Sequence, residues 1–164
     1  MRLYIMRHGP ATDSAATGRD FDRELTTSGR ERVKHVVEKL TLGEETPRVV
    51  FSSPLVRAQQ TAEIVTDQVT SLRGQAIEIT DALSPGADPD VLVSKLIADG
   101  TKRAILVGHE PDLSGLVQNL LARPFLYDMR KAMVVGIHFD SGSRATLRFI
   151  LDPTSLEWLH DARA

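Results

Sequence analysis

The sequence predicts an α/β sandwich with a mainly parallel central sheet and helices on both faces. Short apolar runs alternate along most of the chain with longer segments whose apolar residues recur at helical intervals. The run at residues 104–107 is continuously apolar, as expected for a central strand that is buried on both faces. Two later runs, at 133–139 and 145–151, flank a polar Asp-Ser-Gly-Ser segment, which predicts a hairpin.

The amino-terminal part begins with a strand pattern, a loop and a helix pattern. Residues 3–6 form a short apolar run that predicts a buried strand, and residues 10–26 are polar without a clear period, which predicts a long loop. Ser28 and Glu31 have the spacing of a capping box, so we expect a helix to begin near residues 26–28. The apolar stripe of this helix consists of Val33, Val36, Val37 and Leu40.

A second strand and helix follow at once. Residues 49–51 are apolar, and Ser53 before Pro54 predicts a helix with a serine N-cap and proline at its first position. The apolar stripe of this helix consists of Leu55, Ala58, Ala62, Val65 and Val69.

The remaining elements follow the same alternation. Residues 77–79 predict a short strand, and Asp88-Pro89 predicts the start of a helix that ends at Gly100. Its inward residues are expected to be Leu92, Leu96 and Ile97. After the strand at 104–107, a further helix carries Leu113, Leu116, Val117, Leu120 and Leu121. No repeat or linker divides the sequence, so we predict one domain over residues 1–164.

The composition excludes several classes of protein. With 41% apolar and 26% charged residues, the chain of 164 residues resembles an ordinary globular domain, and its net charge of −2 argues against nucleic-acid or anionic-membrane partners. The lack of cysteine excludes disulfides, thiolate catalysis and Cys-rich metal sites. No apolar run is long enough for a membrane span or a signal h-region, so we expect a cytoplasmic protein. No exposed heptad pattern implies an oligomer.

Charged side chains follow three of the predicted strands directly. Arg7-His8-Gly9 follows the first run, Arg57 lies one turn into the helix after the second, and His109 follows the run at 104–107. Because ligands bind beyond the carboxyl ends of strands in open α/β sheets, we expect these groups to converge on one crevice. Guanidinium groups match phosphate oxygens, and a neutral imidazole can accept a phosphoryl group covalently. The sequence therefore predicts a site that handles phosphoryl groups.

The same segments, taken together and in order, resemble the signature of the histidine phosphatase superfamily. The segments that carry the resemblance are Arg7-His8-Gly9, Leu25-Thr26 with Gly29, residues 52–62 around Arg57, and Val107-Gly108-His109. The segments similar to the small SixA-type phosphohistidine phosphatases are Arg23-Glu24-Leu25-Thr26, Leu83-Ser84-Pro85-Gly86 and His109-Glu110-Pro111. The resemblance spans nearly the whole chain and implies a phosphoglycerate mutase-like fold.

The resemblance also implies a role for each motif residue. His8 would be the nucleophile that carries the phosphoryl group, and water would then hydrolyse the phosphohistidine intermediate. Arg7, Arg57 and His109 would neutralise charge in the transition state. The residues expected to bind the phosphate are Arg7, Gly9, Arg57 and His109, with Arg19 or Arg23 from the long loop as a further contact. No cofactor is implied, and the spacing of potential ligands suggests no metal.

The leaving group separates the candidate substrates. A phosphomonoester expels an alkoxide and normally needs a carboxylic acid as proton donor, for which Asp81 and Asp88 are the candidates. A phosphohistidine has a weaker bond and a protonatable nitrogen, so an enzyme without a dedicated acid can cleave it. We therefore expect a phosphatase of protein phosphohistidine, for example on a histidine phosphotransfer domain. A phosphatase of small phosphate esters that uses Asp81 or Asp88, and a non-catalytic phosphoryl-binding module, stay open as alternatives.

Four acidic residues near these motifs are interpreted as structural. Asp20, with Asp13 and Asp22, is expected to belong to a solvated loop. Glu110 is expected to favour the amino terminus of the following helix through its charge.

Overall fold

The computed structural model describes residues 1–160, so the predicted domain of residues 1–164 includes four positions, 161–164, outside the described range. The helices within that range are α1 (Thr27–Leu42), α2 (Val56–Gln68), α3 (Pro89–Ala98) and α4 (Asp112–Leu121). The strands are β1 (Arg2–Arg7), β2 (Val49–Ser52), β3 (Glu78–Ile79), β4 (Arg103–Gly108), β5 (Val134–Phe139), β6 (Ala145–Leu151) and β7 (Trp158–Leu159). None of the helices described is long and apolar enough to cross a membrane.

The strands form one mixed sheet in the order β3-β2-β4-β1-β5-β6-β7. The first four of these pair in parallel, and β5, β6 and β7 are added by antiparallel pairing. This arrangement confirms the predicted α/β fold: the alternating part of the sequence makes the parallel half, and the hairpin of β5 and β6 extends it. The strand β4, whose sequence is continuously apolar, lies inside the sheet between β2 and β1.

Helices cover both faces of the sheet, as predicted. In β1, Tyr4 and Met6 pack into the core beneath α1 and α2, whereas Leu3 and Ile5 pack into the core beneath α3 and α4. All four side chains are fully buried. Because successive side chains of a strand point to opposite faces, a strand between two helical layers needs apolar residues at every position.

The start of α1 differs in detail from the prediction. Thr26 is the N-cap, and its hydroxyl accepts a hydrogen bond from the amide of Gly29 at 2.9 Å. The capping box of Ser28 and Glu31 was therefore a wrong prediction, because Ser28 lies inside the helix and Glu31 pairs with Lys34 at 2.8 Å. The third helical position is Gly29, which has no side chain to reach back to the cap.

The start of α2 is also later than predicted. The helix begins at Val56 with Leu55 at the cap, so the prediction of Ser53 as N-cap and Pro54 as first helical residue was wrong. The hydroxyl of Ser53 accepts a hydrogen bond from the amide of Leu55 at 3.3 Å, which closes a turn before the helix. By contrast, Asp88 caps α3 as predicted, accepting from the amide of Asp90 at 3.0 Å.

The register of the parallel strands places the predicted motifs at one edge of the sheet. Arg7 in β1 is opposite Gly108 in β4, and the amide of His8 continues the ladder by donating to the carbonyl of Gly108 at 3.1 Å. On the other side of β4, the amide of Ser53 donates to the carbonyl of Val107 at 3.0 Å. The residues that directly follow β1, β2 and β4 are therefore neighbours.

Candidate active site

A cavity of about 320 Å³ lies beyond this edge of the sheet. It is lined by Arg7, His8, Asp20, Arg23, Arg57, Pro85, His109, Glu110 and Lys131. The four side chains that the sequence predicts to converge all belong to this lining. A larger cavity of about 730 Å³, lined by residues from α4 and β6, contains none of them.

His8 is held in one orientation at the floor of the cavity. Its side chain is 5% exposed, and its Nδ1 lies 2.7 Å from the carbonyl oxygen of Gly9. A carbonyl only accepts, so Nδ1 carries the proton and Nε2 keeps its lone pair. Nε2 accepts a hydrogen bond from Nε of Arg57 at 3.3 Å. Burial lowers the pKa of His8 to about 3, with His109, Arg57 and Arg7 adding to the shift, so the ring is neutral at pH 7.

His109 stands beside His8, with 5.1 Å between the ring centroids. Its Nε2 lies 2.8 Å from the hydroxyl oxygen of Ser53, and burial lowers the pKa of His109 to about 4. Either atom can be the donor in this contact; when the Ser53 hydroxyl, which accepts from the amide of Leu55, donates to Nε2, the ring proton lies on Nδ1. That Nδ1 is buried without a hydrogen-bond partner. Such groups are rare and costly, and in this tautomer a bound anion would accept a hydrogen bond from Nδ1.

Arg57 connects His8 to the long loop after β1. Beyond its contact with His8, its Nη1 donates to the carbonyl of Asp20 at 2.9 Å and its Nη2 to the carboxylate of Asp20 at 3.1 Å. Arg7 is fixed by a bond from Nη1 to the carbonyl of Met129 at 2.8 Å, and its Nε is buried without a partner. Two guanidinium groups therefore face the same small space, one of them with an unused donor.

Gly9, predicted to bind the phosphate, packs closely against α1 and is tied to α2. Its amide donates to the hydroxyl of Thr61 at 3.0 Å, and Thr61 donates to the carbonyl of Arg57 at 2.7 Å, so the loop after β1 is tied to α2. A Cβ at this position would lie 2.6 Å from Val33 Cγ2. Gly9 is not part of the cavity lining, and the close approach that it permits is to α1.

Of the two arginines predicted as further phosphate contacts, one lines the cavity and the other does not. Arg23 lines the cavity, where its Nη1 donates to Asp20 at 2.8 Å and its Nε to the carbonyl of Thr12 at 2.6 Å. Arg19 is exposed, is bound to Asp22 at 2.7 Å, and is not among the lining residues.

Three charged residues of the lining were missed as site residues by the sequence analysis. Asp20 belongs to the aperiodic loop and reaches the cavity only because a short 3-10 turn at 20–22 folds it back onto Arg57. Lys131 precedes β5 in a segment without any motif. Glu110 could have been found, since it directly follows His109.

Glu110 fulfils the predicted structural role and also faces the cavity. Its two carboxylate oxygens accept hydrogen bonds from the amide and the hydroxyl of Ser114, at 3.2 and 2.6 Å, at the start of α4. Burial raises the pKa of Glu110, against the opposing effects of Ser114 and Arg7. The carboxylates predicted as proton donors, Asp81 and Asp88, do not line the cavity.

Acid is expected to destabilise the fold through the two buried imidazoles. The pKa values of His8 and His109 are about 3 and about 4 in the folded protein, against a reference of 6.5. Between these values the unfolded chain binds more protons, so this contribution to stability is complete above pH 6.5 and is lost as the pH falls toward the folded pKa values. His8→Asn should therefore lose less unfolding free energy than the wild type between about pH 7 and about pH 4.5.

Urea titrations at the two pH values measure this difference. His35→Asn, which changes an exposed histidine of α1, is the matched control and should follow the wild type. Equal pH dependence of the wild type and His8→Asn would show that His8 is not buried as a neutral ring.

Comparison with known proteins agrees with this geometry. Residues 3–84 match the model of the histidine phosphatase superfamily, branch 1. The chain is 36% identical over 142 residues to an uncharacterized protein of Picosynechococcus sp., with 84% of each chain covered. It is 28% identical over 160 residues to the phosphohistidine phosphatase SixA of Escherichia coli, with 96% of this chain and 97% of SixA covered.

A solved structure gives the same result at the level of the fold. The protein histidine phosphatase SixA complexed with tungstate superposes with a TM-score of 0.85 at 27% identity, over 96% of this chain and 100% of that one. Within residues 1–160, no group of three or more His, Asp or Glu side chains is placed to hold a metal ion. The family match and the similarity to SixA show that the chain belongs to the histidine phosphatase superfamily. Within this superfamily it is similar to the SixA-type enzymes, and it is a phosphatase.

Proposed function

We propose that this phosphatase hydrolyses protein phosphohistidine through a covalent phosphohistidine on its own His8. The observation that carries the proposal is the orientation of the His8 ring. Gly9 fixes the proton on Nδ1, which leaves the lone pair of Nε2 beside the guanidinium of Arg57. Because burial keeps the pKa of His8 near 3, the ring is a neutral nucleophile at pH 7 without the help of a base.

In the first step, Nε2 of His8 bonds to phosphorus while the bond from phosphorus to the substrate imidazole breaks. The substrate ring, protonated by solvent on its other nitrogen, leaves as a neutral imidazole. Charge on the phosphoryl oxygens is neutralised by Arg7 and Arg57, and the unpartnered Nδ1 of His109 donates a hydrogen bond. The carboxylate of Asp20 is 61% exposed, so it can turn to solvent when a phosphoryl oxygen takes its place on Arg57. In the second step, water attacks phosphorus, phosphate leaves, and neutral His8 is restored.

The proposed substrate class is supported by the similarity to SixA. That protein is a phosphohistidine phosphatase, and the present chain covers 97% of it. We infer that the substrate is a phosphorylated protein, of the type of a histidine phosphotransfer domain in a cytoplasmic signalling relay. Arg23 and Lys131 in the cavity lining favour the binding of an anionic group there. A non-catalytic binding module would not need a nucleophilic ring in this position.

The substrate class can be tested by direct competition between phosphorylated proteins. The wild-type enzyme should release phosphate from a phosphotransfer domain that carries phosphohistidine with a kcat/KM at least about tenfold above that for a phosphoserine protein. A reaction without enzyme corrects for spontaneous hydrolysis of phosphohistidine. A preference for phosphoserine or for a sugar phosphate would contradict the proposed substrate.

A further inference from the structure

The guanidinium of Arg57 is shared between His8 and a single residue of the loop after β1. Its Nε donates to Nε2 of His8 at 3.3 Å, while Nη1 and Nη2 donate to the carbonyl and to the carboxylate of Asp20, at 2.9 and 3.1 Å. Nε and Nη2 belong to one fork of donors, of the kind that binds two oxygens of a phosphate. The carboxylate of Asp20 therefore takes a donor that a phosphoryl group beside His8 needs.

The carboxylate of Asp20 is charged and lies between two arginines. Its Oδ1 accepts from Nη1 of Arg23 at 2.8 Å, and its Oδ2 accepts from Arg57. The hydrogen bond from Arg23, together with Arg57, holds the pKa of Asp20 below its usual range, so the group is an anion at pH 7. Since Asp20 lines the same cavity as His8 and His109, the protein itself supplies an anion to the site where phosphate is expected.

The contacts allow the carboxylate to leave Arg57 while the loop stays in place. The side chain of Asp20 is 61% exposed and that of Arg57 only 7%, so water can receive the carboxylate while the guanidinium stays buried. The bond from Nη1 goes to the backbone carbonyl of Asp20, which keeps the 3-10 turn at 20–22 attached to Arg57 when the carboxylate moves. The contact that competes with a phosphoryl group is thus separate from the contact that holds the loop.

We propose that Asp20 is a specificity-determining residue that acts as an internal competitor of phosphate at Arg57. The carboxylate leaves Nη2 when a phosphoryl group binds and returns to it as product phosphate departs. The inference rests on the proposed function, because it requires Arg57 and His8 to hold the phosphoryl group. Every anion that binds must displace the carboxylate, which lowers its apparent affinity. Free orthophosphate has no leaving group to make further contacts, so the product is held weakly and does not block the site.

The direction of the effect separates this role from a structural one. Asp20→Asn removes the charge, keeps the size of the side chain and leaves the backbone bond to Arg57. We expect the Ki of orthophosphate, measured by inhibition of p-nitrophenyl phosphate hydrolysis, to fall by about five- to tenfold, because an ion pair no longer opposes binding. KM should fall with it, without a rise in kcat. Replacing a residue that only holds the loop, or that helps to bind phosphate, would raise Ki.

Asp22→Asn is the matched control. Asp22 lies in the same turn, but its carboxylate binds Thr17 and Arg19 and does not line the cavity, so Ki should stay within about twofold of the wild type. Asp20→Ala, whose folding is checked by urea unfolding, is a second variant with the same expected decrease. An unchanged or raised Ki in both Asp20 variants, or an equal decrease in Asp22→Asn, would overturn the proposal.

A crystal structure of the wild type with tungstate tests the displacement directly. We expect an oxygen of tungstate on Nη2 of Arg57 and the carboxylate of Asp20 turned away from it. Tungstate bound beside His8 with Asp20 still on Nη2 would overturn the proposal. Calorimetry of tungstate binding to Arg57→Ala is measured in parallel, because an affinity equal to that of the wild type would instead contradict the proposed function, since the anion would then bind outside this cavity.

Discussion

Replacing His8 by asparagine is expected to lower kcat/KM by roughly 10⁴-fold or more on every phosphorylated substrate. The amide nitrogen of asparagine can still donate to the carbonyl of Gly9, the partner that orients the ring in the wild type. It has no lone pair that can attack phosphorus, so the covalent route is lost while the local hydrogen bond is kept. Initial rates with p-nitrophenyl phosphate and with protein phosphohistidine measure the effect.

The exposed His35 on α1 provides the control, and His35→Asn should retain wild-type activity. Urea unfolding at pH 7 shows whether His8→Asn is folded. A folded His8→Asn protein with activity within about tenfold of the wild type would show that another group accepts the phosphoryl group.

Arg57→Ala is expected to have the second largest effect, a loss of roughly 10²–10³-fold in kcat/KM. The guanidinium of Arg57 is buried and spans the space between Nε2 of His8 and Asp20, so it lies where charge develops on the phosphoryl group. Arg57→Lys should recover only part of the activity, since an ammonium group cannot reproduce the planar fork of donors.

Steady-state kinetics on the two variants measure this contribution. Arg32→Ala, which removes an exposed arginine of α1, is the matched control and should leave kcat/KM unchanged. If Arg57→Ala were as active as Arg32→Ala, the guanidinium would only hold the loop that carries Asp20.

The sequence analysis identified the features that depend on local pattern. The strand at 104–107 and its neighbour at 3–6 could be predicted because a strand covered by helices on both faces is apolar at every position. The convergence of His8 and His109 followed from the parallel register of β1 and β4, whose ends meet at one edge. The superfamily expected from these motifs is confirmed by the match over residues 3–84.

The features that the sequence analysis missed depend on contacts between distant segments. Asp20 lies in a loop without periodicity, and its contact with Arg57, 37 positions away, holds it at the cavity. Ser53 looked like a helix cap, but its hydroxyl serves a turn and His109. The strand β7 has only two residues, Trp158 and Leu159, too few to show an alternating pattern.

The predicted proton donors Asp81 and Asp88 show how the structure changes a chemical prediction. Both carboxylates lie near the Leu83-Ser84-Pro85-Gly86 segment in sequence, yet neither lines the cavity. Glu110 was interpreted as a helix-terminus charge, and the contacts with Ser114 agree with that interpretation. The same contacts also fix Glu110 in the wall of the cavity, so a residue that serves the helix terminus also faces the site.

Detection of the phosphorylated enzyme is the most direct test of the account. The wild-type protein is mixed with phosphorylated substrate, quenched in alkali, which preserves phosphohistidine, and analysed by mass spectrometry of its peptides. We expect phosphate on His8 in the wild type and on no residue of His8→Asn. Phosphate on His109 instead, or turnover without any phosphorylated residue, would contradict the assignment of His8 as the phosphoryl acceptor.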